Sequence, residues 1–172
     1  MRVAVLVALF VAAGLTRASA YQHFVSPNGR FEAYTTTNSL DGTGMKLLLR
    51  AAGSHDEGTL LWRNNRWLDA RWSPDSRFLA IIDHLDGRIA DVYVFGVSGR
   101  NPAGPPIATL FYHTPELRTY NAQWDVVDWL ADTRNIILKK NIRFGFRQET
   151  IVAHIGTTPL KPQYPDPDLT SR

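Results

Sequence analysis

The sequence predicts an all-β chain of antiparallel, four-stranded units, and three observations lead there. A turn-centred pattern occurs three times, as "SPNGRFEAY", "SPDSRFLAII" and "LADTRNIIL". Each copy is followed by a second β-rich run: "MKLLLRA", "ADVYVFGV" and "ETIVAHI". Proline and glycine interrupt every window long enough for a helix, while β-branched and aromatic residues fill the runs between them.

The first 20 residues stand apart from this pattern. Arg2 precedes an apolar run from Val3 to about Leu15, and Ala18 and Ala20 then supply the A-x-A spacing of a signal-peptidase site. The expected cut follows Ala20 and leaves Tyr21 first. The apolar run falls short of the roughly 20 residues a spanning helix needs, so no stable membrane span is expected after cleavage. The chain has no cysteine and no N-x-S/T sequon. A lipid anchor on a cleavage-site cysteine is therefore excluded, and the expected location is periplasmic or secreted. Arg2 and Arg17 would leave with the leader, which carries no acid, so 19 basic residues become 17 against 16 acidic ones. That balance argues against a nucleic-acid partner, which calls for a basic excess in a patch.

The first unit, about 23–66, turns at Ser26-Pro27-Asn28-Gly29. Pro27 pre-sets the dihedral of the second turn position, and Asn28 can bond its own backbone. The second unit, about 67–121, repeats this at Ser73-Pro74-Asp75-Ser76 after the lead-in "LDARW". The third, about 122–157, has "QWDVVDW" leading into Leu130-Ala131-Asp132-Thr133. Arg30, Arg77 and Arg134 close the turns and lie 47 and 57 positions apart. Arg77 is expected to brace its turn through Asp75, and Trp72 and Trp129, equivalent in the repeat, are expected to pack unit against unit. A further short strand, "GTLLW" or "PIATLFY", follows in two copies. Residues 158–172 form a proline-rich tail that could cap an edge or run on as an extended terminus.

This period matches a four-stranded propeller blade. Apolar residues at every position of Val92-Tyr93-Val94-Phe95 suit a strand covered on both faces. The alternative is a plain β-sandwich. "WSPDSRFLAI" resembles the W-SPDG-R-x-L-A-F core of WD40-like PD40 repeats, which occur in TolB-type periplasmic proteins and in the propellers of oligopeptidase-type enzymes. The resemblance extends over about residues 23–157, with Val25 in place of the tryptophan in the first copy and Ala131 in place of the proline in the third. It implies a partial β-propeller, or one completed by oligomerisation, since propellers usually have about four to eight blades. Two chains could close one ring as a homodimer, or the arc could protect its own edge.

Blade topology would gather the longer loops on one face, where recognition residues concentrate. The candidates there are Arg63, Arg66, Trp67, Asp83, His84, Asp86, Arg88, Arg118 and Tyr120. No catalytic residue is expected: "GVSGR" lacks the second glycine of a nucleophile elbow. No metal or other cofactor is expected either. The histidines have no ligand spacing, Asp83, Asp86 and Asp91 miss the calcium-loop positions, and "LDGTG" lacks the phosphate-binding lysine. The expected function is an exported, non-catalytic binding or scaffolding module. By its TolB-like resemblance the partner would be another envelope protein. The alternative is a small ligand or glycan stacked on Trp67, Trp62 and Tyr120.

Overall fold

The structure, a computed structural model, describes residues 22–37, 44–64, 66–85, 89–99, 105–114, 122–142 and 147–160. They form three antiparallel sheets, not closed into a barrel, and none of them is helical. The first sheet is β1 (His23–Val25), β2 (Phe31–Thr37), β3 (Met45–Ala51) and β4 (Thr59–Asn64), in that spatial order. The second repeats it with β5 (Trp67–Trp72), β6 (Phe78–His84), β7 (Asp91–Ser98) and β8 (Ile107–His113). The third holds β9 (Ala122–Trp129), β10 (Asn135–Ile142) and β11 (Arg147–His154). The third unit has three strands among the described residues, as the sequence, with its further short strand in only two copies, leads one to expect.

The middle sheet has a core on each side. Leu79, Ile81, Phe95 and Val97 pack with Leu47, Leu49 and Phe31 of the first sheet. Phe78, Ala80, Ile82, Val92 and Val94 pack with Trp124, Val126, Ile136 and Leu138 of the third. Successive side chains of a strand point to opposite faces, so β6 and β7 need apolar residues at both parities. Their uninterrupted apolar runs have this cause.

The three turns are built alike. In each, the fourth residue donates its N–H to the carbonyl of the first: Gly29 to Ser26, Ser76 to Ser73, and Thr133 to Leu130. The first residue then closes the hairpin by donating to Phe31, Phe78 or Asn135. The Ser26 and Ser73 hydroxyls accept from the N–H groups of Phe31 and Phe78 at 2.9 Å. Leu130 has no hydroxyl, and Asp132 accepts from Asn135 N–H instead. Asn28 and Asp75 accept from the N–H of the following arginine, as Asp132 does from Arg134. Arg77 also donates from Nε to Asp75, the brace expected from sequence.

The fourth turn position is left-handed in all three copies, with φ of 68° at Gly29, 62° at Ser76 and 55° at Thr133. Glycine adopts this conformation freely and other residues at a cost. The two non-glycine residues use their hydroxyls to reach the preceding unit. Ser76 Oγ accepts from Asn28 N–H at 3.0 Å, and Thr133 Oγ1 donates to Asp75 at 2.7 Å. Gly29 belongs to the first unit, which has no predecessor among the sheets.

The tryptophans make the same backward step. Trp72 lies nearly parallel to Phe31, 6.2 Å away, and its Nε1 donates to the Phe24 carbonyl. Trp129 lies in the same way on Phe78, also at 6.2 Å. At the two ends this pairing stops: Val25 stands where the tryptophan would be, and Asn135 where the phenylalanine would be. The outer faces carry polar groups as well. On the first sheet Glu32 bonds His23 and Arg50, and the Arg50 guanidinium covers the Tyr34 ring at 4.4 Å. On the third, Lys139 and Thr150 lie side by side, next to Gln148, with Ile137 and the exposed Val152 beyond them.

The described part of the tail leaves β11 and runs onto β8, where Leu160 N–H donates to the Leu110 carbonyl at 2.8 Å.

Candidate functional site

A cleft of about 170 Å³ opens between the second and third sheets. Trp67 and Asp69 of β5, with Ile82 and His84 of β6, form one wall; Gln123, Trp124 and Asp125 of β9, with Asn141 of β10, form the other. Alternation along β5 sets the first wall. Leu68, Ala70 and Trp72 turn into the core shared with the first sheet, which directs Trp67 and Asp69 to the opposite side. Trp67 and His84 are register partners, and their rings meet with centroids 4.3 Å apart. Trp67 is nevertheless 58% exposed, a large aromatic surface at the mouth of the cleft.

The first sheet holds this wall in place. Asn64 Nδ2 donates to the backbone carbonyls of Trp67 at 3.2 Å and His84 at 3.0 Å, and to the Asp83 carboxylate. Asp83 accepts from Trp62 Nε1 at 2.8 Å through its other oxygen. Burial pushes the Asp83 carboxyl up to about 6, and the neighbouring Asp91 charge adds to this, against the two hydrogen bonds. Keeping it ionised at neutral pH costs about 3 kcal/mol at 1.36 kcal/mol per pKa unit.

The charge in the cleft comes from Asp69 and Asp125. Burial lowers the His84 pKa below the usual histidine value, while the two carboxylates pull it back up. The imidazole thus shares the cleft with two carboxylates. On the facing wall Trp124 is 4% exposed, and its buried Nε1 has no acceptor among the described residues. A buried indole N–H ordinarily has one. The Lys140 ammonium lies over the Trp124 ring at 5.4 Å. The cleft therefore offers an exposed aromatic face, two carboxylates and two amides.

Several sequence candidates lie elsewhere. Asp83 is not a loop residue facing solvent: it sits in β6, 3% exposed, with its carboxylate engaged by Trp62 and Asn64. Trp62 is not a stacking platform, because it is buried against Tyr93 and Phe95. Arg63 and Arg66 are exposed, but neither borders the cleft. Asp86, Arg88, Arg118 and Tyr120 lie outside the described residues. Of the candidates, Trp67 and His84 come together. Asp69, Gln123, Trp124, Asp125 and Asn141 went unrecognised because they sit in strands. A period-two reading of "WLDARW" and "AQWDVV" carries the signal, since it places Asp69, Gln123 and Asp125 off the core.

The chain matches no protein-family model, and a search of curated proteins finds no significant match to it. The PD40 likeness thus rests on the repeat motif alone.

Proposed function

We propose that the chain is an exported, non-catalytic binding module of the bacterial envelope that engages a partner protein through the cleft between its second and third sheets. The observation that carries this reading is the half-exposed Trp67 beside a cleft charged by Asp69 and Asp125. Complete small-molecule sites usually occupy about 300–1,000 Å³, so a space of this size suits one side chain of an inserted loop. Two carboxylates and an aromatic face favour arginine or lysine there, the guanidinium being well matched to both.

A second reading is supported by the mixed lining of the cleft. Beside Trp67 it carries the Asn141 carboxamide, which donates and accepts as a sugar hydroxyl does. In that reading a sugar ring stacks on Trp67 and donates to the carboxylates.

An array of short peptides and a panel of soluble oligosaccharides separate the two. Binding of arginine- or lysine-bearing peptides, weakened about tenfold or more in both Trp67→Ala and Asp69→Asn, supports the first. Oligosaccharide binding lost in Trp67→Ala supports the second. Binding indifferent to both substitutions removes the cleft from either reading. The intact mass of the chain recovered from the periplasm, expected to begin at Tyr21, tests export.

A further inference from the structure

Among the described residues the third sheet ends on β11, in the place where β3 and β7 each carry a fourth strand. β11 is eight residues long and pairs with β10 without a bulge, from His154 opposite Asn135 to Arg147 opposite Ile142. The pairings that close the other two sheets, β3 with β4 and β7 with β8, are each broken by a register shift. Ile155 N–H donates into the sheet, to the Arg134 carbonyl at 2.7 Å. Inward and outward backbone groups alternate along an antiparallel strand. The groups on the open side therefore belong to Gln148, Thr150, Val152 and His154.

Exposed edges are usually blunted by proline, lysine or a bulge. β11 has none of these and carries its charges, Arg147 and Glu149, only at its start, while Ile151 and Val152 are 39% and 56% exposed. We propose that β11 is a pairing surface for a second copy of this chain, joined antiparallel about a two-fold axis at Ile151. In that register Thr150 faces Val152 of the partner subunit, and Gln148 faces His154 of the partner subunit. Each of the four outward residues then exchanges both its backbone hydrogen bonds. The two Ile151 side chains meet at the axis as a non-hydrogen-bonded pair, the closer of the two pair types. In this register the β-branched Ile151 meets its own copy, Glu149 faces Ala153 and no like charges stand opposite each other, which is the self-complementary patch that a two-fold dimer requires.

Two other routes are closed off. Stacking sheet on sheet would bring charged and polar groups together: the Glu32–Arg50–Tyr34 group at one end, Lys139, Gln148 and Thr150 at the other. The chain's own tail turns to β8 at Leu160, and Pro159, Pro162, Pro165 and Pro167 deprive it of the donors of a regular strand.

Light scattering coupled to size exclusion, across a wide dilution series of the purified chain, is expected to give a concentration-dependent dimer. Val152→Pro removes one outward N–H and leaves the β10 bonds intact, so it should weaken the dimer about tenfold or more while the circular dichroism stays unchanged. Should that variant fail to fold, Ile151→Lys sets like charges on the axis and keeps every backbone bond, with the same expected loss. Because the chain has no cysteine, Ile151→Cys should oxidise to a disulfide dimer, and Val127→Cys, exposed on β9, should not. A monomer at every concentration overturns the proposal, as does a dimer that survives both β11 substitutions or cross-links equally through Val127→Cys.

Discussion

Thr133 holds a left-handed φ of 55° with a β-branched side chain, and its hydroxyl joins Asp75 and Arg77 of the preceding turn. Burial alone would raise the Asp75 pKa, but bonds from Ser73, Thr133 and Arg77 outweigh it and bring the carboxyl to about 2. A carboxyl lowered in the folded state contributes stability that is present above its unfolded value and lost as pH falls through the folded one. Thr133→Val deletes one of the three donors. It should cost about 1–2 kcal/mol in urea unfolding at neutral pH, and the gap to the parent should close as pH approaches 2. Asp83 has the opposite sign. Its folded pKa of about 6 lies above the unfolded value of 3.8, so its contribution is complete below 3.8 and lost as pH rises through about 6. His84, lowered by burial, loses stability as pH falls below its unfolded value of 6.5 and masks this trend. In His84→Gln the thermal midpoint should therefore rise from about pH 7.5 to about pH 5. A midpoint that falls over that range would mean that water reaches Asp83.

Strand and turn are where the two inter-sheet tryptophans can be compared. Both stack on a phenylalanine of the preceding unit, but Trp72 Nε1 has the Phe24 carbonyl and Trp129 Nε1 has no acceptor among the described residues. Trp72→Phe should cost about 1 kcal/mol more than Trp129→Phe, because only the former breaks a bond and orphans a carbonyl; denaturant melts of the two variants provide the comparison. The turns themselves were legible in the sequence because their chemistry is local. Pro27, Asn28, Pro74 and Asp75 announce the reversal, and even Leu130-Ala131-Asp132-Thr133 keeps the same backbone bonds. The cleft was not legible, because Asp69 and Asp125 come from different units and meet only when β5 and β9 are placed. Asp83 misled for a related reason. An acid next to a glycine-bearing loop reads as exposed, and only the partners supplied by Trp62 and Asn64, from the other sheet, explain its burial.

At the scale of the molecule the ends decide how far the stack can extend. Val25 and Asn135 stand where the repeat's tryptophan and phenylalanine would be, and both outer faces carry charged and polar groups, as in the terminal units of other repeat proteins. Restoring the pair, with Val25→Trp and Asn135→Phe together, should make the two ends complementary. Head-to-tail contacts of this kind need not close, so light scattering should show open-ended oligomers absent from either single variant.

The contacts of the repeated tryptophans and fourth turn positions also have a direction. Trp72 reaches back to Phe31, Trp129 to Phe78, Ser76 to Asn28 and Thr133 to Asp75; each joins a later unit to an earlier one. A unit leaving the ribosome thus meets a template already synthesised, and domains generally fold in that N-terminal-first order. Structure can accumulate at the pace of translation, with each newly made unit covering the apolar face that its predecessor had left open to the solvent.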